Sequence, residues 1–131
     1  MSKVLIVDDD GELVNLLATL LKDAGHEVEA VTNSLRAYDR VKETHPDLVL
    51  MDLRMPYLDG TDELKIFGLD EELKNLPVII VTGDRRMFRQ IDNPAKYGIV
   101  DAVFKPFELR VLLEKIAAAL DNAKPANRVH N

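Results

Sequence analysis

The sequence predicts a three-layer α/β sandwich built on a parallel sheet, and three observations predict it. Short apolar runs alternate along the chain with longer segments of helical spacing. The strongest runs show no polar alternation, which marks strands covered on both faces. Alternating strands and helices then require parallel strands joined by right-handed helical crossovers. With 131 residues, 47% of them apolar, and six glycines, the chain fits one compact domain able to bury a real core.

The elements follow in order. Strand runs lie at 4–7, 28–31, 48–51, 78–81 and 103–104, the last of them weak. The first helix repeats Leu13, Leu16, Leu17, Leu20 and Leu21 at intervals of three and four, and Gly25 stands where a C-terminal cap belongs. If those leucines fill the core, Val14 is left facing outward. Ser34 is placed to cap a second helix running to about Thr44. The third helix lies within 61–75, weakened in its middle by Gly68. A fourth follows Gly83, and a fifth carries Leu109, Leu112, Leu113, Ile116 and Leu120. The domain therefore spans 1–121. The stretch 122–131 is polar and broken by Pro125, and reads as a flexible tail or linker stub.

Composition removes several classes of function. There is no cysteine, hence no disulfide framework, thiolate metal site or cysteine nucleophile. No apolar run approaches a membrane span or a signal peptide, so the expectation is a soluble, cytoplasmic protein. A formal net charge of −6 repels nucleic-acid phosphates, which points to proteins or small ions as partners.

In parallel sheets, chemistry collects at the carboxyl ends of the strands. Here the first run ends in Asp8, Asp9 and Asp10, the third in Asp52, the fourth in Thr82, Gly83 and Asp84, and the fifth in Lys105 and Pro106. If the first and third strands are neighbours, Asp8, Asp9 and Asp52 converge, and their mutual repulsion invites a hard cation. Mg2+ suits such a set, because it takes one or two carboxylates, a carbonyl and waters and leaves positions for phosphate oxygens. Lys105 supplies a positive charge and Thr82 a hydroxyl donor for the same anionic oxygens. Asp52 stands alone after a buried strand and is the expected nucleophile for phosphoryl transfer, while the adjacent Asp8 and Asp9 are suited to metal ligation. Taken singly, each residue has a plainer role: an aspartate turn capping the first helix, a threonine N-cap, a lysine snorkelling from the core edge. Their common placement on one sheet edge, with complementary charge, favours the site.

The residues that carry this pattern are Val4-Leu5-Ile6-Val7-Asp8-Asp9-Asp10, the stretch from Asp52 to Gly60, Val78-Ile79-Ile80-Val81-Thr82-Gly83, and Phe104-Lys105-Pro106-Phe107. Together they resemble the receiver domains of two-component response regulators, over nearly the whole chain. The resemblance implies a doubly wound, flavodoxin-like sheet of order 2-1-3-4-5 and a cis peptide before Pro106. It also implies Asp52 as phosphoacceptor, with Mg2+ or Mn2+ held by Asp9, Asp52 and the Arg54 carbonyl and by Asp8 through water. The implied donor is a phosphohistidine on a histidine kinase or histidine phosphotransfer protein, and the implied role is a signalling switch rather than a turnover enzyme. Its output surface would be formed by the fourth helix, fifth strand and fifth helix.

Two positions depart from the family pattern. Ala102 stands three residues before Lys105, where the family places an aromatic switch residue. Pro94 falls where the fourth helix ordinarily continues and should end it near Asn93 or kink it. Arg85, Arg86 and Arg89 lie on the same segment, as a solvated face or a docking patch. Val14, if outward, would meet the donor protein, and Arg54 and Asp84 should pair across the path of attacking water. Two further readings compete with the switch: a receiver-like interaction module that is not phosphorylated, and a small-molecule phosphohydrolase, for which neither a cap nor a general acid is evident.

Overall fold

In the computed structural model of the chain, residues 2–129 are described, with side chains described for 2–122. Five strands alternate with five helices: β1 (Lys3–Val7), α1 (Gly11–Asp23), β2 (Glu27–Val31), α2 (Ala37–Thr44), β3 (Leu48–Met51), α3 (Gly60–Gly68), β4 (Val78–Thr82), α4 (Arg85–Arg89), β5 (Ile99–Phe104) and α5 (Leu109–Val129). The sheet is parallel throughout, in the order β2-β1-β3-β4-β5. The tail expected over 122–131 lies, beyond Asn122, outside the residues with described side chains.

The apolar runs become central strands because successive side chains enter opposite layers. Leu5, Val7, Val49, Met51, Val78 and Ile80 face one core with Ala37 and Val41 of α2 and Leu64 and Phe67 of α3. Val4, Ile6, Leu48, Leu50, Ile79 and Val81 face the other, with Val14, Leu17 and Leu21 of α1 and Leu112, Ile116 and Leu120 of α5. Two edges close the sheet. On β5, Val78 pairs with Ile99 but Ile79 with Asp101, so Val100 has no register partner and lies exposed.

Several elements differ from the sequence expectation. Val14 is buried, and Leu16 is the outward residue at 53% exposure. The buried set Val14, Leu17 and Leu21 steps by three and four, whereas Leu16 sits about 100° off that stripe. Gly25 does terminate α1, at φ +94°. The cap before α2 is Asn33, whose side chain accepts from the Leu35 N–H at the start of a 3-10 turn over Ser34–Arg36; Ser34 is buried instead. α3 starts one residue earlier than expected, because Asp59 and Asp62 form a reciprocal capping box, and it ends at Gly68 rather than running through it. β5 extends back to Ile99, where Asp101 and Ala102 hide an edge strand from a reading by apolar runs. α4 is only five residues long; Pro94 opens a separate 3-10 turn, Pro94–Tyr97, preceded by Asn93 at φ +55°. The helix thus stops four residues before Asn93, not at it. The Lys105-Pro106 peptide is cis.

Candidate functional site

The sheet's hydrogen-bond ladder runs one residue past the strand ends and fixes the site backbone. Asp52 N–H donates to the Val7 carbonyl at 3.0 Å, Asp8 N–H to Val31 at 3.1 Å, and Lys105 N–H to Thr82 at 2.9 Å. Asp8 and Asp52 are thereby brought side by side with their carboxylates almost fully buried, 3% and 6% exposed, while Asp9 lies exposed beside them. One carboxylate oxygen from each of Asp8, Asp9 and Asp52 falls within a 4.8 Å envelope. Lys105 Nζ donates to Asp8 Oδ2 at 2.8 Å and to Asp52 Oδ2 at 3.2 Å, a positive charge set between two buried acids.

Burial pushes the Asp8 carboxyl up from its ordinary range, although the Lys105 ammonium and the Asp10 N–H oppose the shift. For Lys105, burial works against the ammonium, but its bonds and charge contacts with Asp8 and Asp52 outweigh it and raise its pKa. The cluster is therefore one coupled acid-rich unit with too little positive charge. The donor set is all oxygen, as a hard cation prefers, and the residues present fit Mg2+ or Mn2+. The Arg54 carbonyl, two residues after Asp52, accepts no hydrogen bond from any described protein group.

Thr82 ends β4, beside β3, and is fully buried. Its Oγ accepts the Asp84 N–H at 3.2 Å. Asp84 in turn caps α4, accepting from Met87 N–H at 2.8 Å, and accepts from Arg54 Nε at 3.0 Å and from the Arg54 terminal nitrogen. Those bonds, the Met87 amide first and then the guanidinium, hold the Asp84 carboxyl below its ordinary range. The pairing of Arg54 with Asp84 expected from spacing is thus formed. Val14 lies in the core and is removed from any surface that meets a partner.

Close packing sets the loop that follows Asp52. Gly60 opens α3 against the strand end: a Cβ there would fall 2.8 Å from the Leu53 Cα and closer still to the Asp52 carbonyl oxygen, so no other residue fits. Two features escaped the sequence reading. Ser34 Oγ reaches from the β2–α2 connection into the 53–59 loop, a contact 22 residues away in sequence. Glu63, on the inner face of α3, is fully buried with no partner for either carboxylate oxygen. The signal for Glu63 was available, since it falls one turn after Gly60 and one residue before Leu64, on the apolar stripe.

A sequence model described as the response regulator receiver domain matches residues 4–117. Similar curated proteins include the chemotaxis protein CheY-3 of Vibrio cholerae, 36% identical over 87% of this chain and 88% of that protein. The polar-differentiation response regulator DivK of Brucella ovis is 33% identical over 94% of this chain and all of its own. The transcriptional regulatory protein CpxR homolog of Haemophilus influenzae is 38% identical over the whole chain, which spans 56% of that relative's length. Among solved structures, the receiver domain of Francisella response regulator 1452 superposes with a TM-score of 0.81 at 27% identity, over 93% of this chain and 98% of that one. With its five-stranded parallel sheet, its buried aspartates at the strand ends and these relatives along nearly its full length, the chain belongs to the response regulator receiver domain family.

Proposed function

We propose that this receiver domain is a phosphorylation-dependent switch in which Asp52 accepts a phosphoryl group from a phosphohistidine of a histidine kinase or histidine phosphotransfer protein. The observation that carries this reading is the buried Asp52 carboxylate, held beside Asp8 and Lys105 at the edge of the sheet. An Asp52 carboxylate oxygen attacks phosphorus, the phosphorus–nitrogen bond breaks, and the donor histidine leaves with the bonding pair as a neutral imidazole after taking up a proton. Asp9, Asp52 and the Arg54 carbonyl would hold Mg2+ directly and Asp8 through water; when bound, the cation neutralises charge on the phosphoryl oxygens. Lys105 turns from the carboxylates toward the new dianion. Thr82 donates its hydroxyl proton to a phosphoryl oxygen, and that proton has no acceptor among the described residues before the event.

Movement of Thr82 Oγ withdraws the acceptor of the Asp84 N–H, at the residue that caps α4. The consequence reaches the face of α4, β5 and α5 without an aromatic at position 102. Phe104, in register with Thr82, packs edge-on against Phe88 of α4 with ring centroids 5.5 Å apart, and the Arg85 guanidinium sits 4.4 Å from its centroid. Incubation with Mg2+ and acetyl phosphate, followed by intact-mass measurement, tests the reading. Wild type should gain about 80 Da, the mass of one HPO₃, and Asp52→Asn should not. A wild type that gains nothing, with Mg2+ and donor in excess, would leave a receiver-like interaction module as the better description.

A further inference from the structure

The loop of residues 53–59 joins the acceptor strand to α3. Its ends are anchored by the chain itself: Leu53 is fully buried and its carbonyl accepts Gly60 N–H at 2.8 Å, and Asp59 is tied into the capping box. Between them, among the described residues, the backbone of 55–58 makes two hydrogen bonds to protein groups, and Ser34 makes both. Ser34 Oγ donates to the Pro56 carbonyl at 2.6 Å and accepts from the Leu58 N–H at 3.1 Å. The residue between them, Tyr57, is held at φ +72°, a left-handed conformation that costs a non-glycine residue roughly 1–3 kcal/mol and persists only where the surroundings enforce it. Tyr57 is 77% exposed, so its own side chain supplies little of that enforcement. Ser34, by contrast, is 3% exposed, and its carbonyl accepts the Ala37 N–H at the end of the 3-10 turn.

We propose that Ser34 is a positioning residue for the phosphorylation site. By bonding both neighbours of Tyr57 it locks the strained turn, and the locked turn sets where the Arg54 carbonyl stands relative to Asp52. This rests on the functional reading above, in which that carbonyl ligates the cation. A serine is required because the site needs a donor and an acceptor on one small atom; alanine supplies neither, and a cysteine of similar size supplies both only weakly.

The test titrates Mn2+ alone, read by the loss of free-ion electron paramagnetic resonance signal, together with amide hydrogen exchange at Leu58 in the metal-free protein. Ser34→Ala should weaken Mn2+ binding by about tenfold and speed Leu58 exchange by at least about tenfold, and Ser34→Cys should lie between. Ser34→Ala combined with Tyr57→Gly should recover most of the Mn2+ affinity, because glycine takes a positive φ without strain. That rescue also covers the case in which Ser34→Ala alone folds poorly. If Ser34→Ala lowers the melting temperature but leaves Mn2+ affinity and Leu58 exchange as in wild type, the serine is only a packing residue and the proposal fails. If the double variant binds Mn2+ no better than Ser34→Ala, the strained turn is not what Ser34 controls. A wild type that binds no Mn2+ overturns the cation site itself, an outcome distinct from either.

Discussion

At the scale of single residues, the site sets a largely buried cation, Lys105, against an exposed one, Arg54. Lys105 lies between two buried carboxylates and is bonded to both. Arg54 differs, because its side chain is 75% exposed and its ion pair with Asp84 is screened by solvent and adds little to stability. Under the proposed function, its value would lie in position, across the approach of water to a phosphoryl group on Asp52. Arg54→Ala should therefore raise the rate of phosphate release roughly threefold, a barrier change of about 0.7 kcal/mol, while leaving Mn2+ affinity near wild type. Rates of phosphate release from purified phosphoprotein measure this, and an unchanged rate removes Arg54 as a guard. Asp84→Ala is the less clean variant, since it also removes the cap of α4. The strand-end residues were legible in the sequence because each follows an apolar run directly, and the sheet ladder carries one residue beyond β1, β3 and β5. Ser34 was not, because its partners are a carbonyl and an amide of a distant loop, and backbone groups leave no trace in residue type.

At the scale of elements, α4 stands apart. It has no fully buried residue and is held by the Asp84 cap, by the half-buried Met87 and Phe88 against the core, and by the packing of Phe88 on Phe104. An element with so few buried contacts opens at little free-energy cost. Phosphorylation, by taking Thr82 Oγ from the Asp84 amide, should change amide exchange over residues 84–91 more than over α1. Phe104→Ala should take up the phosphoryl group at close to the wild-type rate but lose much of that change in exchange, as followed by mass spectrometry. An exchange pattern in α4 that ignores phosphorylation would place the output elsewhere. The sequence foretold that Pro94 would shorten this helix, because a proline lacks the amide that helix continuation needs. It did not foretell a stop at Arg89, because that depends on Asn93 taking a left-handed turn to set up the 3-10 segment. Helix one shows the same limit: five leucines marked the helix, but which stripe faced the sheet turned on Val14, which a count of leucines overlooks.

At the scale of the whole molecule, two cores flank one sheet, and among the described residues one carboxyl group, that of Glu63, lies buried without a hydrogen-bond partner. Burial raises the Glu63 carboxyl to about 7, with the Asp62 carboxylate adding to the shift. Below pH 4.5 the folded and unfolded chains both carry it protonated, so it adds no pH dependence to stability. Between pH 4.5 and 7 the unfolded chain gives up the proton while the folded chain keeps it, and stability falls as pH rises, by about 1.4 kcal/mol per pH unit and roughly 3 kcal/mol in all. Above pH 7 both states are ionised and the loss levels off. Urea unfolding of wild type and Glu63→Leu across pH 5 to 8 should show the variant gaining on wild type through this window and then holding a constant lead. A difference that does not vary with pH would mean that Glu63 ionises inside the fold as freely as outside it. Asp70, which accepts from Tyr38 and Lys42 and is lowered to about 2, titrates below this range and does not blur the comparison.

The unpaired Val100 on β5 bears on how copies of this molecule behave in a crowded solution. An open sheet invites another chain to lay a strand along its free edge, and a straight apolar edge is the usual seed of fibrous clumping. Here one edge is kinked by the extra residue at Val100, and the other, β2, carries Glu27 and Glu29 along its length. A second copy arriving at either side meets a break in spacing or a rim of ion pairs, Glu27 with Lys3 and Glu29 with Arg40, so the chain can keep its sheet open without becoming sticky.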